Sequence, residues 1–146
     1  ALQTLYDAMP PVRALGVQVR ACADDRVRLW APLAPNLNDK DCAFGGSLTS
    51  LMMLASWGLA QYAVNQAGHA AGVYVAESSQ RFRQPLFDDL RAEAWFPDPG
   101  ARGAFLAELA ARGRAAVAVE SAVWRADGSR AASQAARYVA IAGNPA

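Results

Sequence analysis

Histidine occurs once in this chain, at His69, and cysteine twice, at Cys22 and Cys42. The two cysteines lack CxxC spacing and neither has a histidine beside it, so a Cys/His metal site has no ligand set. Two reduced thiols are the expectation. Lysine is nearly missing as well. Lys40 stands alone among 13 arginines spread along the chain, and the formal net charge is only +1. No basic run marks a nucleic-acid stripe, so nucleic acid is excluded as an expected partner. The longest absence is of charge itself: no Asp, Glu, Lys or Arg occurs between Asp41 and Glu77.

What is present points to one packed domain over residues 1–146. The chain is 53% hydrophobic and 18% charged, which allows a sizeable core and excludes disorder. The charge-free run has to be tested against a membrane, since about 20 apolar residues cross one. Gly45 to Val64 has that length, but it carries Ser47, Thr49, Ser50, Ser56 and Gln61, and a buried helix fits it better than a spanning one. No basic segment followed by an apolar stretch and a small-residue cleavage site opens the chain. A cytoplasmic protein is expected.

Periodicity supplies the elements. Leu2 to Met9 has helical spacing and stops at Pro10-Pro11. Gly16 to Cys22 alternates, with Val17, Val19 and Ala21 on one side, and after Ala23-Asp24-Asp25 the alternation resumes through Val27, Leu29 and Ala31. That predicts a hairpin. A helix is predicted from about Ser47 to Gln66, stopped by Gly68. A long strand follows over Gly72 to Pro85, with Tyr74, Ala76, Ser78, Gln80 and Phe82 on one face, and then a strand over Leu90 to Phe96. A short helix over Ala101 to Arg112 precedes two strands, Arg114 to Ala126 and Arg130 to Ala142, joined at Asp127-Gly128. The last four strands are expected to form a meander. Six strands and one very apolar helix suggest an α+β domain in which a single curved antiparallel sheet wraps around that helix. Open sheet edges point to a homodimer or a dimer of dimers.

The chemistry concentrates at Ala43-Phe44-Gly45-Gly46-Ser47, where a polar loop becomes the apolar helix. Two glycines let a ligand approach the backbone, and the free N–H groups of the first turn favour negative charge, fixed or developing.

The order of elements, together with this turn before an apolar helix, resembles the hotdog thioesterase superfamily. Within it, APLAPNLNDKDCAFGGSLTSLMMLASWGL, Ala31 to Leu59, is similar to the YiiD C-terminal domain family. The resemblance implies the hotdog fold, dimers, and action on acyl groups carried as thioesters on coenzyme A or acyl carrier protein. Relatives are associated with decarboxylation of malonyl-acyl carrier protein. It implies no cofactor beyond the carrier's phosphopantetheine.

In hydrolytic relatives of the phenylacetate type, an Asn stands six residues before a His-Gly-Gly, and an acid stands on the helix seven residues after the second Gly. Asn38, Gly45 and Gly46 match that pattern, but Phe44 takes the place of the His and Met53 that of the acid. Thr49, Met53 and Ser56 share a helix face, so a hydroxyl is available there but no base. The other branch of the fold, the dehydratases, needs a His working with an acid; His69, beyond the far end of the helix, is expected on the surface.

Three functional readings follow. Decarboxylation of a malonyl thioester requires an oxyanion hole and no base, and Asn38 with the backbone at Gly45, Gly46 and Ser47 would provide it. Thioester hydrolysis requires an activated water, for which Asp39, Asp41 or Glu77 from a partner chain could serve. A domain that only binds acyl thioesters needs neither. Phe44, Thr49, Met53, Ser56, Trp57 and Gln84 are the candidates for lining the substrate site, and Arg81 and Arg83 for meeting phosphates or an acidic carrier.

Overall fold

An uncharged helix must be enclosed, and this one is enclosed by nearly everything else in the chain. The computed structural model describes residues 1–143. Two short helices open it, α1 (Leu2–Asp7) and α2 (Pro10–Leu15), followed by a hairpin of β1 (Gln18–Cys22) and β2 (Arg26–Ala31). A 3-10 turn at Ala34–Asn36 leads to the long helix α3 (Gly45–Gln66). Then come β3 (Ala71–Phe82), β4 (Leu90–Trp95), α4 (Ala101–Arg112), β5 (Arg114–Trp124) and β6 (Arg130–Ala142). The six strands form one antiparallel sheet in the order β1-β2-β4-β5-β6-β3. The α3 helix packs across β2 to β6, which is the expected sheet around a helix.

Four expectations change. The two prolines do not merely end a helix; Pro10 and Pro11 open α2, because a proline at the first helical positions costs no hydrogen bond. The α3 helix begins at Gly45, two residues earlier than expected, with extended Phe44 as its N-cap. The final strands are not a four-strand meander: β4, β5 and β6 are, but β3 crosses to the far side and pairs with β6, while β4 pairs with β2. Alternation reports which face a residue occupies and carries no information on which strand lies beside it.

Bulges supply the fourth change. A register shift between Val19 and Ala21 turns Cys22 onto the core and leaves Ala21 exposed, reversing the expected faces at the end of β1. A second shift, between Val75 and Glu77, divides β3. Before it, Val73 and Val75 face α3; beyond it Ser78, Gln80 and Phe82 do, opposite Ala136, Gln134 and Ala132. Tyr74 and Ala76 therefore do not share a face with Phe82.

The first residues of β3 are fastened to the helix by side chains. The Trp57 indole N–H donates to the Val73 carbonyl at 2.9 Å, and the buried Gln61 donates to the Ala71 carbonyl and accepts from the Val73 N–H, both at 3.2 Å. These bonds satisfy edge groups that no strand pairs. Beyond Val73 the strand is exposed on both faces as far as Phe82 except at half-buried Gln80.

On the other side of α3, Tyr6 of α1 donates its hydroxyl to the Leu54 carbonyl at 2.6 Å, and its ring lies 6.1 Å from that of Trp57. Gly58 is what lets α1 come this close: a Cβ there would overlap the Tyr6 hydroxyl and stand 3.0 Å from Leu2 Cδ2.

Arginines scattered in sequence gather on the sheet face away from α3. Arg26 and Arg28 both pair with Glu93, at 2.8 and 2.6 Å, and Arg130 lies over the stacked rings of Trp95 and Trp124.

Gly58→Ala is expected to lower stability by about 2 kcal/mol, since the overpacking penalty exceeds the roughly 1 kcal/mol that alanine returns in helix propensity. Thermal unfolding of a double-mutant cycle with Tyr6→Phe checks the cause. Removing the hydroxyl should recover part of the loss in the Gly58→Ala background, and purely additive effects would refute it.

Candidate functional site

The loop before α3 is built by two asparagines with different tasks. Asn36 is buried, and its Nδ2 donates to the carbonyls of Leu15 and Pro32 at 2.9 and 2.7 Å. Its own carbonyl accepts the Phe44 N–H at 2.7 Å. One residue therefore ties together α2, the end of β2 and the residue that caps α3.

Asn38 closes the loop itself. Its Oδ1 accepts the N–H groups of Lys40 and Cys42 at 2.8 and 3.1 Å, while its Nδ2 lies 3.2 Å from Cys42 Sγ. The loop then bonds sideways to the segment after β3, with the Ala43 N–H donating to the Leu86 carbonyl at 2.8 Å.

The first intrahelical bond of α3 is from the Leu48 N–H to the Phe44 carbonyl. The N–H groups of Gly45, Gly46 and Ser47 accordingly have no partner within the helix, and no side chain caps them. No acidic residue occupies the first turn, so the positive end of the helix dipole is left unneutralised.

The Phe44 ring folds back over Gly46; a Cβ at residue 46 would run into its ring edge. Phe82 from β3 approaches from the other side, 3.7 Å from where a Cβ of Gly45 would stand. Phe44 and Phe82 are 54% and 57% exposed, a large apolar area to leave in water beside three free N–H groups, and Phe87, in the segment after β3, is 67% exposed.

Further along α3, the Tyr138 hydroxyl donates to the Met53 carbonyl at 3.1 Å, so this side of the helix lies against β6. Burial raises the Tyr138 phenol to about 12. At neutral pH it is a hydrogen-bond donor and no base. Ser56 is fully buried and its Oγ has no hydrogen-bond partner among the described residues. Thr49 and Met53 are half-buried on the same run of turns.

The chain matches the model of a family described as "Putative thioesterase (yiiD_Cterm)" over residues 2–142. It belongs to that family. A structure from Chlorobaculum tepidum, of a protein with unknown function, aligns with a TM-score of 0.89 at 25% identity over 97% of this chain and 91% of its own. A Pseudomonas aeruginosa protein of unknown function, described as "Probable Thioesterase", aligns with a TM-score of 0.80 at 25% identity, covering 97% and 93%. A "putative thioesterase" from Shewanella oneidensis shares the fold, with a TM-score of 0.83 at 23% identity over 96% and 94%. No curated protein matches.

This member of the YiiD C-terminal family has the hotdog fold, with α3 as its central helix. The residues singled out from sequence distribute unevenly around it. Phe44, Gly45, Gly46 and Ser47 share the turn, Asn38 closes the loop leading into it through Lys40 and Cys42, and Thr49, Met53 and Ser56 continue from the turn along α3. Trp57 is committed to Val73 and to packing on Tyr6, so its indole nitrogen is unavailable to a ligand. Gln84 is exposed just beyond β3, its N–H bonded to the Ala131 carbonyl at 3.2 Å.

The acids offered as bases are all exposed. Asp39 pairs with Lys40 at 3.0 Å, and Asp41 sits at a left-handed φ of 61°. Glu77 lies on the sheet face away from α3, opposite Arg137. Arg81 is on that outer face too, and Arg83 stands past the end of β3. His69 is half-buried in the turn after α3, at the opposite end from the site.

Sequence reasoning passed over Asn36, Phe82, Phe87 and Tyr138. Tyr138 had a signal, since it alternates with Ala136 and Ala140 on a core face; Phe82 reaches the turn only through the β3–β6 pairing, and Phe87 follows Leu86, whose carbonyl bonds Ala43.

Asn36→Ala should cost about 2 to 3 kcal/mol, because it leaves two partly buried carbonyls without donors, and Asn36→Asp should do no better because a carboxylate cannot donate. Chemical denaturation measures the loss. Hydrogen exchange at the Phe44 amide should accelerate in both variants, and unaltered protection there would contradict the role assigned to Asn36.

Proposed function

We propose that this protein acts on acyl thioesters at the start of α3, and that its reaction is decarboxylation of a malonyl group carried on acyl carrier protein or coenzyme A. The observation that carries the reading is the set of three uncapped N–H groups at Gly45, Gly46 and Ser47 inside an apolar rim, with carbon at Phe44 and Met53 where a water-activating pair would stand.

With the thioester carbonyl oxygen at these N–H groups, the bond between the α carbon and the carboxylate breaks. Its electron pair moves into the carbonyl to give an enolate, and carbon dioxide leaves. A solvent proton then adds to the α carbon, giving the acetyl thioester. Negative charge grows on the oxygen that the helix start already addresses, and one such donor is worth about 3 kcal/mol in rate. The Asn38 Oδ1 is held by two backbone N–H groups and its Nδ2 donates to Cys42 Sγ at 3.2 Å, so the amide has one further N–H to give to that oxygen. Phe44 and Phe82 would limit water around the reacting group and so favour loss of the carboxylate's charge. No cofactor is required beyond the carrier's phosphopantetheine.

The second reading is hydrolysis. It is favoured by the family description and by thioesterases among the structural neighbours. We infer a homodimer for either reaction, joined through the β3 edge left open beyond Val73, where Tyr74 and Val75 are exposed. In such a dimer a loop acid of one copy could enter the other's site. A cytoplasmic setting, where carrier thioesters are made, completes the reading.

Incubation with malonyl-acyl carrier protein and malonyl-coenzyme A decides among the classes. Release of carbon dioxide with the acetyl thioester supports decarboxylation, release of free carrier thiol supports hydrolysis, and tight binding without either leaves a binding domain. Asn38→Ala is expected to slow carbon dioxide release about 100-fold. Asn38→Asp, which keeps the acceptor for Lys40 and Cys42, should slow it comparably; an unchanged rate in both would remove Asn38 from the oxyanion hole.

A further inference from the structure

Gln134 on β6 is 3% exposed, yet neither its Nε2 nor its Oε1 has a hydrogen-bond partner among the described residues. Directly opposite on β5 is Ser121, 1% exposed, whose Oγ is also without a partner. An amide and a hydroxyl with no bonds in a packed interior are costly and ask for an explanation.

Their position supplies one. Along β6 the residues facing α3 are Ala132, Gln134, Ala136 and Tyr138, paired across β5 with Val123, Ser121, Val119 and Val117. Tyr138 reaches the Met53 carbonyl. At the other end Ala132 is opposite Phe82, which lies against Gly45. Gln134 is between these two levels, beneath the first turns of α3 and beside Gln80, its neighbour on β3. The pair therefore stands under the helix start. Every other residue of this β5–β6 stretch that faces α3 is apolar or Tyr138, and α3 has no charged side chain. The subsite offers hydrogen bonds without a counter-charge.

We propose that Gln134 and Ser121 form a polar subsite for an oxygen carried on the third carbon of the acyl group, the place of the second carboxyl in a malonyl thioester and of the hydroxyl in a 3-hydroxyacyl thioester. This rests on the acyl-thioester reading of the α3 start and adds a preference to it. The Nε2 and Ser121 hydroxyl donate to that oxygen, and the Oε1 accepts from a hydroxyl or from water. A malonyl carboxylate held in this way is oriented without being neutralised, so its charge remains free to leave as carbon dioxide and an enolate elsewhere. A plain alkyl acyl group would leave both side chains unbonded, which selects against it.

The test uses unreactive pantetheine amides carrying malonyl, acetyl, 3-hydroxybutyryl and butyryl groups, with calorimetric affinities for the full chain. The wild type should prefer malonyl over acetyl, or 3-hydroxybutyryl over butyryl, and which pair shows the preference identifies the source of the oxygen. Gln134→Met should cut that preference about ten-fold without weakening butyryl binding, and raise Tm by removing an unbonded amide. Should Gln134→Met fail to fold, Ser121→Ala makes the same comparison with one hydroxyl removed. A preference that survives either variant overturns the proposal, as does a lowered Tm with unchanged affinities, which would make the amide structural. Binding of all four amides without preference overturns the subsite alone, whereas binding of none overturns the acyl-thioester reading together with it.

Discussion

A 22-residue helix without a single charged side chain has no face to offer to water, and most of the architecture answers that constraint. The sheet covers one side of α3, and Leu2, Tyr6 and Val12 of the short N-terminal helices enter the same core. Close approach is bought with Gly58 on that side. The helix cannot be covered at its start in the same way, because the first N–H groups of any helix need partners that the helix cannot supply. In this chain the surrounding loop supplies none to Gly45, Gly46 and Ser47. The one unfinished part of the enclosure is also where the reaction is proposed to occur.

The loop makes that opening rigid without filling it. Asn36 and Asn38 spend their side chains on backbone groups of Leu15, Pro32, Lys40 and Cys42, so the path into α3 is set by hydrogen bonds rather than by apolar burial. The phenylalanines around it do the reverse: they contribute carbon and remain in solvent. A fixed set of donors within an apolar rim is an arrangement in which developing charge gains more than charge already present, because no reorganisation is needed when it appears.

Local chemistry was legible in the sequence, and non-local pairing was not. The bounds of α4 and β6 were readable to the residue, because Pro99-Gly100, Gly113 and the Asp127-Gly128 turn punctuate them. The helix start was readable because Gly-Gly before a charge-free run has few other meanings. The place of β3 was not, since a strand's alternation is the same whichever neighbour it has. Its bulge at Ala76 was hidden for a related reason: alanine suits either face, so nothing in the pattern breaks. Gln134 could have been noticed, as the one amide among Ala132, Ala136 and Tyr138 on a core-facing alternation. Asn36 could not, because an asparagine after a proline reads as an ordinary turn residue until the chain folds Leu15 and Phe44 onto it.

The fastening of β3 by Trp57 and Gln61 has a consequence for order of events. Only the first three residues of the strand are held from the outer side, yet they set where the whole strand begins against β6, and with it the spacing of every later edge group. Whatever comes to that edge therefore meets a ruled template that a single chain has already completed. In the proposed dimer, recognition there is a meeting of finished surfaces, with no need for one chain to lend a strand to another, and a slip of register would have to break the chain's own internal bonds before it could gain any new ones.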